Sequence, residues 1–191
     1  MGNDKIILIN GSKRFNVDNS LEVLTELAEL RGIKQEVITD SGIGEEFSKL
    51  GYNPQRNQVD VEKMTDIINR KTSLGSTDYE AGKIIILDKD IYTPKTNWCF
   101  GVACRPEGSL GYIIISTARF QNNNHGKDIL RHELGHMFGA PSNSRKVDVE
   151  SSLGLHCTKN LCVMQQKLSV PESIKYSDLR QMTNARAYCP K

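Results

Sequence analysis

The sequence predicts an α/β fold of the α+β kind, with a mixed, twisted sheet and packed helices. Short apolar runs of strand length alternate along the chain with segments whose apolar residues recur at helical spacing. Such alternation is typical of α/β domains. A length of 191 residues with 38% hydrophobic residues is enough for one core. We therefore expect a single domain over residues 1–191, with a sheet-and-helix part at 1–127 and a second part at 128–191.

The predicted elements follow in chain order. Apolar or alternating runs predict strands at 5–10, 34–39, 83–88 and 111–117. Helical spacing predicts helices at 21–30, at 59–70, around the motif described below, and near 171–188. Candidate N-caps of the first helix are Asp18, Asn19 and Ser20, with Gly32 as its stop. Residues 40–57, rich in Gly, Asn and polar side chains, are predicted to be a loop, as is the stretch around His125.

Composition narrows the class of protein. A net charge of +2 gives no reason to expect nucleic acid or an anionic membrane as a partner. The apolar runs are shorter than a membrane span, and the first ten residues lack the apolar core of a secretory signal. We expect a cytoplasmic protein. In that reducing compartment, its five cysteines are expected to be thiols or metal ligands rather than disulfides.

The motif with the most chemical information is His132-Glu133-Leu-Gly-His136, an HExxH pattern. Positions i and i+4 of a helix lie on one face, so both imidazoles can hold one zinc ion. Glu133 can then handle the proton of a water molecule bound to that ion. This is the core of a zinc hydrolase that cleaves amide bonds. The alternative is a helix whose two histidines have no metal-binding role. In such a helix, alanine, serine or leucine would pack as well as histidine at these positions.

A catalytic zinc site usually needs a third protein ligand. The metzincin pattern HExxHxxGxxH is matched up to Gly139, which is placed to end the helix in a left-handed conformation, but Ser142 stands where the histidine is expected. His156 is the best candidate further along the chain. Asp148 and Glu150 stay open as alternatives, since carboxylates also bind zinc.

The chain resembles the archaemetzincin family in the stretch from Gly154 to Met164. His156, Cys157, Cys162 and Met164 have the spacing of the family's HCx4CxM motif, and residues 87–103 and 115–119 are similar to two further family segments. The resemblance implies a metzincin-like zincin with an antiparallel edge strand, an active-site helix and a C-terminal helix. It also implies a catalytic zinc on His132, His136 and His156, Glu133 as general base, and Met164 beneath the metal. It further implies that residues 140–153 are a segment inserted before the third histidine.

The same resemblance implies a second, structural zinc held by four cysteines. Cys157, Cys162 and Cys189 match three of those positions, and Cys104 or Cys99 would supply the fourth. Cys189 stands only two residues before the last residue of the sequence, ahead of the place of the family's last cysteine. The alternative is that all five cysteines are buried or exposed thiols.

Two functions fit these features. The first is a zinc-dependent peptidase acting on a peptide or protein substrate, which would pair with the strand containing Gly111, Tyr112, Ile113, Ile114 and Ile115, taken to lie at the sheet edge. The second is a zinc-binding protein of the same fold with little peptidase activity, acting as a binding or regulatory module. A cysteine-based redox protein is a weaker third idea. The inserted segment is either a flap over the site or a solvated loop.

Overall fold

The structure is a computed structural model that describes residues 5–31, 34–38, 41–70, 82–104, 111–152, 154–183 and 187–188. The chain forms two compact units, Met1–Arg119 and Phe120–Lys191. Each unit is described by itself, and the single domain expected from the sequence stays a prediction.

The first unit is built on a five-stranded mixed sheet with the strand order β2-β1-β5-β9-β8. Four of these strands are parallel, and the fifth, β8, runs antiparallel to β9. The strands are β1 (Lys5–Asn10), β2 (Lys34–Ile38), β5 (Gly82–Leu87), β8 (Gly101–Cys104) and β9 (Tyr112–Ser116). The predicted mixed sheet with an antiparallel edge strand is confirmed.

The predicted edge position of residues 111–115 is wrong. β9 pairs with β5 on one side and with β8 on the other, so it is an inner strand. Ile113, Ile114 and Ile115 are each at most 1% exposed. A run of apolar residues without alternation is typical of such a strand, covered on both faces. The edge position belongs to β8.

The rest of the first unit consists of three helices and a small sheet. The helices are α1 (Val17–Arg31), α2 (Ser41–Leu50) and α3 (Val61–Arg70). The small sheet has the order β3-β4-β6-β7, with β3 (Tyr52–Asn53), β4 (Gln58–Asp60), β6 (Ile91–Thr93) and β7 (Thr96–Cys99). One apolar core joins α2, α3 and both sheets, and it includes Phe47, Val59, Met64, Ile85, Leu87 and Ile91.

Three predicted boundaries in this unit are wrong. Residues 40–57 contain helix α2, because Phe47 is buried in the core and outweighs the polar composition of the stretch. Val59 belongs to β4, so α3 begins two residues later than predicted. Helix α1 begins at Val17, ahead of the predicted caps, and Asn16 accepts a hydrogen bond from the backbone N–H of Asp18 (3.0 Å). Gly32 lies outside the described residues.

The second unit contains two helices and a two-stranded ribbon. The helices are α4 (Asn123–Met137) and α5 (Val170–Met182), and the ribbon pairs β10 (Val149–Glu150) with β11 (His156–Cys157). Asn122 caps α4 by accepting from the N–H of His125, and Ser169 caps α5 in the same way. Within the described parts of the chain, no helix has both the length and the apolar character needed to cross a membrane.

The sequence predicts a loop around His125, and this prediction is wrong. His125 lies in helix α4. Its side chain is fully buried, and its Nε2 lies 2.8 Å from the hydroxyl of Ser173 on α5. Asn122 caps the helix, which therefore begins before His125. Residues 121–124 are all polar, so the sequence shows no apolar spacing that would indicate this helix start. Helix α5 also ends at Met182, six residues earlier than predicted.

Candidate metal centre

Helix α4 carries the first residues of the site. His132 and His136 are one helical turn apart, and their Nε2 atoms lie 3.1 Å from each other. Glu133 lies next to His132 in the sequence and is only 6% exposed. The predicted pairing of the two imidazoles on one face of the helix is what the structure shows.

His156 comes from β11 and completes the group. Its Nε2 lies 3.3 Å from the Nε2 of His136, and one ligand atom from each of the three histidines falls within 4.8 Å of the others. The rings of His132 and His156 are stacked with an interplanar angle of 24°, and the ring of His136 stands nearly perpendicular to both. The sequence separation of twenty residues between His136 and His156 is thus bridged in space.

Two of the rings have their protons fixed by the backbone. The Nδ1 of His132 lies 2.7 Å from the carbonyl oxygen of Val163, and that of His156 lies 3.0 Å from the carbonyl of Gly154. A carbonyl only accepts hydrogen bonds, so each Nδ1 must be the donor. The Nε2 atoms are then left with free lone pairs, which is the state that a metal ligand needs.

Burial sets the charge state of the site. It lowers the pKa of His132 to about 3 and that of His136 to about 4, with the neighbouring imidazoles adding to the effect. It also lowers the pKa of His156. Burial raises the pKa of the Glu133 carboxyl to about 8. At neutral pH the three imidazoles are therefore neutral and able to bind a cation.

The donor set fits zinc. Three neutral imidazole nitrogens around one point are a typical arrangement for catalytic zinc, which keeps a further position open for water. In the part of the chain that the structure describes, the three histidines are the only group of three or more potential metal ligands close enough to share an ion. Asp148 and Glu150 do not belong to it. Asp148 instead pairs with Lys159 (3.3 Å) and Arg145 (3.5 Å), and the side chain of Glu150 is exposed.

The segment 140–153, predicted above to be an insertion, supports the third histidine. Gly139 ends the helix region with φ +72, as the sequence predicted. The segment then returns as β10, where Glu150 stands opposite His156, and the carbonyl of Asp148 accepts from the N–H of Thr158 (2.9 Å). At least this end of the segment is a pairing strand rather than a free flap or a solvated loop.

Met164 packs against the helix that carries the motif. A Cβ added to Gly135 would overlap the sulfur of Met164 and lie 3.2 Å from the ring of Tyr188. Met164 is 2% exposed, and its carbonyl accepts from the N–H of Cys157 (2.9 Å). Its thioether therefore forms an apolar layer against α4 between the two histidines, in keeping with the floor expected from the sequence.

The cysteines are only partly accounted for. Cys157 and Cys162 are buried in one apolar cluster with Val163 and Met164, and the N–H of Lys159 donates to the sulfur of Cys157 (3.4 Å). Cys104 lies in β8 and Cys99 in β7, both in the first unit. Cys189 lies outside the described residues. The four-cysteine zinc site stays a prediction.

Sequence reasoning missed the residues that hold the ligands in place. The carbonyls of Val163 and Gly154 cannot be read from residue types, because any residue has one. Gly154 has φ +113, and a glycine two positions before a candidate ligand was the available signal. Asp128 and Arg180 form a buried ion pair at 2.7 Å, and only the contact of α4 with α5 brings them together.

Comparison with known proteins finds one curated relative in sequence. The chain is 34% identical over 122 residues to the archaemetzincin of Nanoarchaeum equitans (strain Kin4-M), a match that covers 63% of this chain and 56% of the relative. Over this stretch the chain is similar to that archaemetzincin in sequence. It spans little more than half the length of this curated relative, and no protein-family model matches it.

Solved archaemetzincin structures share the fold. The crystal structure of the archaemetzincin from Methanopyrus kandleri matches with a TM-score of 0.61 at 21% identity, covering 96% of both chains. The archaemetzincin from Archaeoglobus fulgidus, complexed with malonate, matches with a TM-score of 0.56 at 22% identity over 90% of both chains. A zinc-dependent peptidase from Methanocorpusculum labreanum (strain Z) also gives 0.56 at 22% identity, over 90% of this chain and 92% of that one. At these identities the likeness establishes the fold.

Proposed function

We propose that this chain is a zinc-dependent peptidase that hydrolyses peptide bonds, with His132, His136 and His156 as zinc ligands and Glu133 as general base. The observation that carries the proposal is the convergence of three Nε2 atoms, with the Nδ1 protons of two of the rings held by backbone carbonyls. The name of the Methanocorpusculum labreanum structure, a zinc-dependent peptidase, supports the same activity.

The residues divide the chemistry among them. Bound zinc supplies a Lewis acid that activates a water molecule and polarises a peptide carbonyl. Glu133 accepts the proton of the attacking water and passes it to the leaving amine. Burial raises the pKa of the Glu133 carboxyl to about 8 in the metal-free site, and the positive charge of a bound zinc ion would favour the carboxylate that acts as base.

The substrate is proposed to be an extended peptide that pairs with β8. β8 stands last in the strand order of its sheet, and an edge strand can take up an extended peptide by main-chain pairing. β9, which the sequence favoured for this role, has both sides occupied. Main-chain pairing with β8 would fix the peptide direction without selecting side chains, which agrees with a sequence that gives no subsite preference.

A zinc-binding module without activity is less well supported. Such a module would need the three histidines but not Glu133, whose burial at 6% exposure costs free energy when the carboxylate is charged. A buried carboxyl beside a metal ligand is expected where a proton must be moved. The cytoplasmic location and the absence of nucleic-acid and membrane partners stay predictions.

The variant Glu133→Gln tests the proposal. We expect it to lower kcat/KM on a peptide library by about 10²–10⁴-fold, because the general base is lost while the ligands remain. Elemental analysis should still find bound zinc in Glu133→Gln, whereas His156→Ala should lose it. Cleavage by zinc-loaded Glu133→Gln at the wild-type rate, or no cleavage by zinc-loaded wild type, would contradict the proposal.

A further inference from the structure

A buried ion pair joins the two helices of the second unit. The Nε and Nη2 of Arg180 on α5 donate to Oδ2 of Asp128 on α4 at 3.1 and 2.7 Å. Both residues are 7% exposed. Burying two charges costs several kcal/mol per ion, and the attraction between them offsets this cost only with very good geometry. A buried pair is therefore weak evidence for stability alone, and its remaining contacts indicate what it does.

Arg180 makes a third hydrogen bond, to the turn that follows β11. Its Nη1 donates to the carbonyl of Leu161 at 2.9 Å. Leu161 has φ +61, a left-handed conformation that a branched side chain adopts only at a cost. A charged donor aimed at its carbonyl stabilises that conformation. The turn is thus held from α5 by a charge-assisted hydrogen bond.

The same turn supplies the acceptor for a zinc ligand. Two residues after Leu161, the carbonyl of Val163 accepts the Nδ1 proton of His132 at 2.7 Å. The N–H of Val163 donates to the carbonyl of Ala187 at 2.8 Å, which fixes the peptide on its other side. Any shift of the turn that moves this carbonyl therefore changes the hydrogen bond that orients His132.

These contacts close into a ring, because Asp128 lies on α4 four residues before His132, on the same face of the helix. We propose that Asp128 and Arg180 are positioning residues for the metal site, which hold the 161–163 turn so that Val163 keeps the Nε2 of His132 free for zinc. The proposal rests on the proposed function in taking His132 as a zinc ligand.

Arginine is needed at position 180 because its side chain must donate to two acceptors that lie in different directions. The guanidinium donates to the carboxylate through Nε and Nη2 while Nη1 points at the carbonyl of Leu161. A lysine ammonium is a compact charge without this rigid fork. Arg180→Lys therefore keeps the charge beside Asp128 but gives up the fixed geometry toward Leu161.

The test measures the zinc affinity of Arg180→Lys by competition with a chelator of known affinity. We expect an affinity about 10- to 100-fold weaker than wild type, which is typical for loss of a contact that orients a metal ligand. The control is Gln181→Ala, which removes the exposed hydrogen bond between Gln181 and Asn124 (2.8 Å) across the same two helices. It should bind zinc within about twofold of wild type, since it touches neither the ion pair nor the turn.

A second readout needs no zinc. In the metal-free protein, NMR of the imidazole nitrogens should show His132 protonated at Nδ1 in wild type and in Gln181→Ala, and a mixture of tautomers in Arg180→Lys. If circular dichroism shows Arg180→Lys to be unfolded, Asp128→Asn, which keeps a hydrogen-bond acceptor for Arg180, takes its place in both measurements. A folded variant with wild-type zinc affinity and a single Nδ1-protonated tautomer overturns the proposal.

The two proposals fail separately. If wild type binds zinc but cleaves no peptide, the proposed function is wrong, and the weaker zinc binding of Arg180→Lys still supports the positioning role. If wild type cleaves peptides and Arg180→Lys binds zinc as tightly, the positioning role is wrong and the proposed function stands.

Discussion

At the scale of single residues, the site depends on what surrounds each ligand as much as on the ligands. His132 and His156 give their Nδ1 protons to backbone carbonyls, which leaves Nε2 of each ring available. The HExxH motif specifies the ligands, but a peptide elsewhere in the chain selects the tautomer of each of these two rings. The same reasoning applies to Gly135, whose missing side chain makes room for Met164.

Gly135→Ala is predicted to destabilise the protein. The new Cβ would overlap the sulfur of Met164 and lie 3.0 Å from its terminal methyl carbon, so the methionine must leave a well-packed site. Overpacking of this kind costs about 1–3 kcal/mol, against which the higher helix propensity of alanine offsets up to ~1 kcal/mol. Urea unfolding of the metal-free protein measures the net loss.

The Met164→Ala background is the control for this prediction. Removing the thioether opens the space that the new Cβ needs, so Gly135→Ala should cost less there than in wild type, and the difference is the coupling between the two residues. Equal costs in both backgrounds would show that the overlap with Met164 is not what disfavours alanine at this position.

At the scale of elements, the ribbon of β10 and β11 is the part that the sequence could least predict. The segment 140–153 separates His156 from the motif helix in the sequence. The pairing of Glu150 with His156 holds the third histidine in a defined position. Loop insertions add little closure entropy, so the distance along the chain is not in itself costly. What matters is that the segment ends in a turn that fits the ring of His156.

Gly154→Ala is predicted to weaken zinc binding. Gly154 has φ +113, where an L side chain is strained, and its carbonyl accepts the Nδ1 proton of His156. Relief of that strain would move the carbonyl, and we expect a loss of about tenfold or more in zinc affinity. Titration with zinc against a chelator measures it, with the exposed neighbour Ser151→Ala as a control that should match wild type. Wild-type affinity in Gly154→Ala would show that the turn does not orient the ring.

At the scale of the whole molecule, the buried groups of the site make stability depend on pH. The pKa values of His132 and His136 are lowered to about 3 and 4, so below pH 6.5 the unfolded chain binds protons that the folded chain excludes. Stability is then lost as the pH falls. Burial raises the pKa of Glu133 from 4.5 to about 8. Between these two pH values the folded chain binds a proton that the unfolded chain has released, so stability is lost as the pH rises toward 8.

The metal-free protein is therefore predicted to be most stable near pH 6.5 and to lose stability on both sides. Urea midpoints measured from pH 4 to 9 in the presence of a chelator would show this maximum. Glu133→Gln should remove the decline between pH 6.5 and 8, and it should make the rise of stability between pH 4.5 and 6.5 steeper, because Glu133 opposes the histidines there. The same decline in wild type and in the variant would mean that Glu133 does not carry a raised pKa.

Much of this molecule could be predicted from its sequence because local patterns carry the information. The apolar runs of β1, β5 and β9 and the helical spacing of α1 depend on neighbours within one element, and the structure confirms their presence. HExxH names two ligands and a base because i and i+4 share a helix face wherever the helix lies. His156 followed from the resemblance of residues 156–164 to the archaemetzincin motif, and the structure brings it to the other two histidines.

The remaining features were decided by contacts between elements distant in sequence. β9 is an inner strand because β8 folds back beside it, and α2 forms because Phe47 finds a core to enter. The protons of His132 and His156 are placed by carbonyls, and the pair of Asp128 with Arg180 exists only where α4 meets α5. Residue types along a chain determine which groups can bind a metal. Which of their atoms face it depends on hydrogen bonds that form only once the chain has folded.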